Sequence, residues 1–166
     1  HTAYIGKWHL DGSNTTEHYV PEERRGGFDY WMGYENNNNQ HDCYIYGTEN
    51  NKPQRLPGYE TDSLSDILIQ HLHNHVGKND NYKPFFAVLS VQPPHNPNLT
   101  PINPSYDTPY IHPENLQLRP NVPNLPNLQR RVRLDLAGYY AMIQNLDYNL
   151  GRIRQALRNL DVDRDT

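Results

Sequence analysis

The clearest pattern in the chain is an apolar repeat at three- and four-residue spacing near its end. Its members are Leu136, Tyr139, Ile143, Leu146, Leu150, Ile153, Leu157 and Leu160. This spacing predicts a helix with one apolar stripe, and we expect the stripe to pack on a sheet. A shorter repeat from Leu64 to Val76 predicts a helix that begins near Thr61 or Asp62 and ends at Gly77.

Several short segments are typical of β-strands. They are residues 2–8, the aromatic-rich run 28–34, the pair 43–46 and 54–56 around Asn50-Asn51, and the apolar run 84–91. The paired segments predict a hairpin, and the continuous apolar run predicts a strand covered on both faces. The polar residues Asn36 to Gln40 are expected to form an exposed loop. Strands alternating with helices predict an α/β fold, a layered sheet with helices on both faces.

Residues 93–126 contain 10 of the 14 prolines of the chain. Proline lacks the N–H donor and fixes φ, so regular structure is disfavoured there. Long loops of this kind are usually functional or disordered.

Composition excludes several classes of protein. The 166 residues are sufficient for one domain, and no apolar run approaches the ~18 residues that span a bilayer. A net charge of -4 gives no broad basic surface, which argues against nucleic acid as a partner. The single cysteine excludes an internal disulfide and a multi-cysteine zinc site.

Both ends of the chain resemble the interior of a longer protein. The chain starts at His1 without a methionine, inside a strand pattern, and stops at Thr166 just after a helical pattern. We therefore expect an internal fragment, and a missing signal peptide says nothing about localisation.

Two segments could carry chemistry at strand ends. If residues 2–8 form a strand that continues, Lys7 and His9 point to the same face, where a cation and an imidazole could hold an oxyanion. His95 follows the apolar run directly, and ligands of open α/β sheets bind beyond the carboxyl ends of strands. The alternatives are a solvated strand end for Lys7 and His9, and a rigid surface turn for His95.

Other candidate residues fit ordinary structural roles better. His71 and His75 share a helix face, but Leu72 stands where a zinc-protease helix has a glutamate. We therefore expect His71, His73 and His75 to be exposed and away from any site. Cys43 is expected to be a small buried residue and not a nucleophile.

The order of motifs resembles type I (formylglycine-dependent) sulfatases of the alkaline-phosphatase-like superfamily. Residues 2–10, TAYIGKWHL, resemble the second signature of that family. Further similar segments follow in order: GFDYW at 27–31, GYETD at 58–62, PFFAVLS at 84–90, PPHNP at 93–97, LRPNVP at 118–123 and GYYAMI at 138–143 with Leu146-Asp147. The resemblance spans nearly the whole chain and is greatest with bacterial sulfatases of sulfated polysaccharides.

The resemblance implies roles for three residues. Lys7 matches the lysine that holds the sulfate group. His9 matches the histidine that hydrogen-bonds the catalytic formylglycine and helps to cleave the covalent sulfate intermediate. His95 matches the histidine beside the bridging oxygen, which binds sulfate and protonates the leaving alcohol. Catalytic roles are therefore expected for His9 and His95, and substrate binding for Lys7 and His95.

Several parts of the family pattern are absent from this chain. The Cys-x-Pro-Ser-Arg nucleophile signature is missing, and Tyr44 to Tyr46 after Cys43 do not match it. The calcium ligands and the second active-site lysine are also missing. We therefore expect no metal ligand within residues 1–166, and formylglycine and calcium outside them. The family also implies a sulfated carbohydrate or other sulfate ester as substrate, and a periplasmic or extracellular location.

Two other functions remain open on the sequence. A phosphodiesterase or phosphonate hydrolase of the same superfamily would share the strand and loop pattern. A non-catalytic carbohydrate-binding module would fit the loops rich in tyrosine and asparagine.

Overall fold

The structure, a computed structural model, describes residues 1–12, 19–48, 52–77, 82–101 and 112–166. In these ranges the strands are β1 (Thr2–Lys7), β2 (Tyr30–Tyr34), β3 (Tyr44–Gly47), β4 (Gln54–Arg55) and β5 (Phe86–Ser90), and the α-helices are α1 (Glu60–His75) and α2 (Pro126–Asn159). Short 3-10 helices cover Glu22–Arg24 and Pro113–Asn115.

The strands form one mixed sheet in the order β4-β3-β2-β1-β5. β1 is parallel to both of its neighbours, β2 and β5, whereas β3 and β4 are antiparallel additions at the other edge. The α/β class and the predicted hairpin are thus confirmed. The predicted turn at Asn50-Asn51 falls outside the described residues.

Helix α1 covers the face of the sheet that carries Ile5. Its apolar side chains Leu64, Leu68 and Leu72 are buried in one cluster with Ile5 and Tyr34. This confirms the predicted apolar face, and the helix starts one residue before the predicted Thr61, at Glu60. The opposite face of the sheet is covered by a second cluster in which Val20, Trp8 and Phe28 surround Tyr4 and Trp31.

Helix α2 packs against α1, and its buried side differs from the predicted stripe. The buried positions of α2 are Ala137, Gly138, Ala141, Met142, Asn145, Asn149 and Ala156. Tyr139, Ile143 and Leu150 are 37%, 40% and 56% exposed. The prediction that the whole stripe packs on the sheet is therefore wrong. Of that stripe, Ile153, Leu157 and Leu160 pack against the cluster around Ile5.

A polar contact explains the orientation of α2. Asp62 of α1 accepts hydrogen bonds from Asn145 Nδ2 at 2.8 Å and Asn149 Nδ2 at 2.6 Å. Buried amides and carboxylates must be paired, so this contact places the asparagine side of α2 on α1.

The apolar run at β5 is less covered than its sequence predicts. Phe86 is 61% exposed, and the other four residues of the strand are half-buried. Among the described residues β5 pairs only with β1, so it forms an edge of the sheet. The prediction of a strand covered on both faces is therefore wrong for the described residues, since none of the five residues of β5 is fully buried. None of the helices in the described ranges combines the length and apolarity that a membrane crossing requires.

Candidate functional site

The carboxyl ends of β1 and β5 meet at one edge of the sheet. The two strands are adjacent and parallel, with Ile5 opposite Leu89 and Gly6 opposite Ser90. Lys7 is the last residue of β1, and His95 lies in the loop that follows Ser90. The topology therefore brings the Lys7 and His95 segments out at the same edge, where α/β proteins bind their ligands.

Lys7 is half-buried, and two carboxylates act on its charge. Its charge interacts with that of Glu60, the first residue of α1, so its side chain lies towards the start of that helix. Burial lowers the pKa of the Lys7 ammonium, and the carboxylates of Glu60 and Glu35 act in the opposite direction. The Lys7 ammonium is thus partly removed from bulk water at the sheet edge, where a cation attracts an anion more strongly than it does in water.

His9 lies beyond the regular part of the strand. The backbone N–H groups of Trp8 and His9 donate to Tyr34 O at 2.7 Å and Glu35 O at 3.0 Å, so the chain still follows the end of β2. His9 itself has a φ of 54° and an exposed side chain. The alternation that predicted a common face for Lys7 and His9 ends at Lys7, because a left-handed residue breaks the strand geometry. His9 is therefore placed by this backbone turn.

The loop that carries His95 is anchored on several sides. Within the loop, His95 N–H donates to Gln92 O at 3.0 Å, and the exposed imidazole donates from Nδ1 to Asn96 O at 2.5 Å.

Three side chains from elsewhere in the chain donate to backbone carbonyls of this loop. They are Tyr59 Oη to Leu99 O at 3.1 Å, His41 Nε2 to Thr100 O at 3.0 Å and Gln40 Nε2 to His95 O at 3.3 Å. Asn98 Nδ2 donates to the Asp135 carbonyl of α2 at 3.1 Å. The loop is thus held by hydrogen bonds with three other segments, in addition to the restraint from its prolines.

Sequence reasoning missed two buried polar residues beside this loop. Glu60 is 1% exposed, and its Oε1 accepts hydrogen bonds from Tyr34 Oη at 2.7 Å and the Gln92 N–H at 3.1 Å. Gln40 is fully buried, which corrects the prediction that the whole segment from Asn36 to Gln40 is exposed. In the sequence, Glu60 resembles an ordinary acidic residue at a helix start, and Gln40 is the end of a polar run.

The helix histidines lie at the opposite end of β1. His71 Nε2 is 3.3 Å from His1 Nε2, and its ring stacks on Tyr30 at 4.2 Å. His75 Nε2 donates to Lys83 O at 2.8 Å. They are thus away from Lys7, as predicted. Only His73 is exposed, however. His71 and His75 are half-buried, and burial lowers the pKa of His71.

The described residues contain neither a metal-binding cluster nor a reactive thiol. Those residues contain no cluster of three or more His, Cys, Asp or Glu that could hold a metal ion. Cys43 is buried, as predicted, and burial raises the pKa of its thiol to about 12. A thiol of this kind stays protonated at neutral pH and is a poor nucleophile.

The cleft predicted to contain Lys7, His9 and His95, with residues 93–126 as its rim, stays a prediction. Residues 102–111 of that rim lie outside the described ranges. A cavity of about 540 Å³ lies elsewhere, between Pro113-Glu114 and the first turns of α2, where Gln129, Arg130 and Arg133 line it.

Comparison with known proteins gives one consistent family. The family model described as Sulfatase matches residues 1–166. An "Ulvan-active sulfatase" of Formosa agariphila is 33% identical over 165 residues, which cover 99% of this chain and 31% of that protein. An "Endo-4-O-sulfatase" of Bacteroides thetaiotaomicron is 28% identical, with 99% of this chain and 35% of that protein covered. A solved structure from Bacteroides fragilis, described as a sulfatase, superposes with a TM-score of 0.79 and 25% identity over 98% of this chain and 38% of that one.

Proposed function

This chain belongs to the sulfatase family, and from that premise we propose that it is the central part of the catalytic domain of an enzyme that hydrolyses sulfate esters. The chain spans about a third of the length of the curated relatives it matches. We propose sulfated polysaccharides as the substrate class. The names of those two relatives, an ulvan-active sulfatase and an endo-4-O-sulfatase, support this class.

The observation that carries the proposal is the adjacency of β1 and β5. It brings the Lys7 and His95 segments to one sheet edge. The transferring sulfuryl group spreads negative charge over its oxygens, so the fixed ammonium of Lys7 would lower the barrier. An alkoxide leaves poorly, so His95 would bind the sulfate and protonate the bridging oxygen, a contribution of roughly a hundredfold or more. His9 would form a hydrogen bond with the catalytic nucleophile of the enzyme.

The formylglycine and calcium of the family do not fit the residues of this chain. Its described residues form no metal cluster, and its single cysteine is buried outside a nucleophile signature. We propose that both groups belong to parts of the enzyme other than this chain. The contribution of these 166 residues is then the Lys7 side of the site together with the His95 loop.

The test is sulfate release by the full-length protein that contains this chain. Sulfated oligosaccharides, an aryl sulfate, a phosphodiester and a phosphonate ester are offered side by side, and free sulfate and phosphate are measured by ion chromatography. We expect sulfate release that falls sharply in Lys7→Gln. Preferential phosphate release would favour the phosphodiesterase alternative. Binding on a glycan array without any hydrolysis would favour a carbohydrate-binding module.

A further inference from the structure

The proposed chemistry leaves the carboxylate of Glu60 without a role. Glu60 is the first residue of α1 and is 1% exposed. A buried carboxylate destabilises the fold unless its oxygens are hydrogen-bonded and its charge is compensated. Its partners therefore indicate why a glutamate is present at this position.

The two donors to Glu60 come from the two segments that build the site. Tyr34, which donates from its hydroxyl at 2.7 Å, is the register partner of Lys7 in the β1–β2 ladder. Gln92, which donates its N–H at 3.1 Å to the same oxygen, opens the loop that carries His95. One carboxylate oxygen thus joins the strand end beside Lys7 to the start of the His95 loop.

A second connection runs in parallel through Gln40. The backbone N–H of Glu60 donates to Gln40 O at 2.8 Å, and Gln40 Nε2 donates to His95 O at 3.3 Å. Gln92 Nε2 also donates to Asn38 Oδ1 at 2.9 Å. The start of α1, the loop after β2 and the loop after β5 are therefore held as one hydrogen-bonded unit.

Charge couples Glu60 to Lys7 as well. Burial raises the pKa of Glu60, and the hydrogen bonds from Tyr34 and Gln92 and the Lys7 ammonium oppose that rise. Burial lowers the pKa of Lys7, and Glu60, followed by Glu35, opposes that fall. The other titratable groups facing this position are Tyr34 and Cys43, whose pKa values burial raises, so both stay neutral.

We propose that Glu60 is a positioning residue of this site: its carboxylate fixes the Lys7 strand end to the His95 loop, and its negative charge stabilises the Lys7 ammonium. This inference rests on the proposed function, because it assigns Glu60 the task of placing Lys7 and His95. Glu60 acts through these groups and does not touch the substrate.

The variant that isolates the charge is Glu60→Gln in the full-length protein. The amide oxygen still accepts from Tyr34 and Gln92, so the fold is retained while the negative charge is lost. We expect kcat/KM for a sulfate ester to fall about 10- to 100-fold, the usual effect of losing one charged partner. Because Lys7 would then lose its proton more easily, the alkaline limb of the kcat/KM profile should move to lower pH.

Asp62→Asn is the matched control. Asp62 lies two residues further along α1, and its carboxylate accepts two hydrogen bonds from asparagines of α2. This variant changes the same chemical group in the same helix turn, outside the network around Lys7. We expect its pH profile to overlay that of the wild type. A Glu60→Gln profile that also overlays the wild type, or an equal displacement in Asp62→Asn, would overturn the proposal.

A second readout is independent of turnover. Lysines are methylated reductively with a 13C label, and the Lys7 signal is assigned with Lys7→Arg and titrated by NMR. The titration midpoint of Lys7 should be lower in Glu60→Gln than in the wild type, and unchanged in Asp62→Asn. Equal midpoints in Glu60→Gln and the wild type overturn the assignment of Glu60. If the wild-type protein releases no sulfate, the proposed function is wrong. The titration midpoints then still decide whether Glu60 stabilises the Lys7 ammonium.

Discussion

Gly6 and Ser90 face each other across the parallel ladder of β1 and β5, so closely that only glycine fits at position 6. A Cβ atom built on Gly6 would lie 2.0 Å from the carbonyl oxygen of Ser90, and the φ of Gly6 is 114°. Gly6 directly precedes Lys7. The strand pairing that carries Lys7 to the edge of the sheet thus depends on the absence of a side chain.

Gly6→Ala should therefore destabilise the protein severely. The new methyl group meets backbone, which cannot rotate away, and alanine disfavours this φ, so we expect a loss of about 3 kcal/mol or more. Gly151→Ala in α2 is the control, since no atom lies within 4 Å of its Cβ position apart from its chain neighbours and the backbone of its own helix. That change should leave stability unchanged or raise it by up to about 1 kcal/mol. Denaturant unfolding of both variants measures the difference, and equal stabilities would contradict the packing described here.

The apolar periodicity predicted most elements of the fold, and polar contacts account for much of what it missed. The helices α1 and α2 follow from apolar spacing, because burial of one face imposes that spacing. β1 and the hairpin follow from short runs of β-type residues and a turn signal between them. The orientation of α2 did not follow, since its buried side is built on Asn145 and Asn149 bonded to Asp62. Hydrophobic periodicity carries no information about such a polar interface.

The candidate site was predicted through its signature residues and not through their supports. Lys7, His9 and His95 are named by a motif. Glu60 lies within the GYETD segment, but the resemblance implied no role for it, and Gln40 lies in none of the similar segments. The burial of both residues arises only when three distant segments come together. The left-handed φ of His9 was not predicted either, because only a few per cent of non-glycine residues adopt that conformation, although histidine is enriched among them.

The stability of the fold should decrease between pH 7 and pH 5 through His71. Burial lowers the pKa of His71 below its unfolded value, and His75 adds to this, so the unfolded chain binds the proton more readily. The contribution of neutral His71 is present above the unfolded pKa and is lost as pH falls through that range. His1, His75 and Asp29 are the other titratable groups nearby.

Denaturant unfolding at several pH values checks this for His71→Phe, which keeps a ring against Tyr30. The variant should lose part of the decrease in unfolding free energy at acidic pH. The exposed His73→Gln should keep the wild-type pH dependence. An unchanged pH dependence in His71→Phe would assign the effect to other groups.

The 166-residue chain alone should not hydrolyse sulfate esters. Catalytic groups act as a unit, and the nucleophile and metal of the proposed mechanism are not among its residues, so little activity should remain. The purified chain is incubated with an aryl sulfate, with and without calcium. Hydrolysis above the uncatalysed rate that increases with calcium would show this interpretation to be wrong.

Replacing Lys7 in the full-length enzyme should remove a cation that the transition state needs. Lys7→Gln is expected to lower kcat/KM about a hundredfold or more. Lys83→Gln is the control, because Lys83 is exposed and precedes β5 at the other end of the sheet. Steady-state kinetics on one sulfate ester compares the two variants. If kcat/KM of Lys7→Gln lies within about threefold of that of the control, Lys7 does not bind sulfate, because the loss of a charged contact has a larger effect.

The effect of His95→Ala should depend on the leaving group. If His95 protonates the bridging oxygen, a sugar alkoxide with a high pKa needs that proton, whereas a phenolate with a low pKa leaves without it. We therefore expect a loss in kcat/KM of about a hundredfold or more on sugar sulfates and a much smaller loss on activated aryl sulfates.

The His95 backbone is held by Gln92 and Gln40, so removal of the imidazole should leave the loop in place. His73→Ala, an exposed histidine on α1, serves as control and should lower neither activity. A plot of log kcat/KM against leaving-group pKa should be steeper for His95→Ala than for the wild type. Parallel lines would mean that His95 binds the sulfate group without acting as the acid.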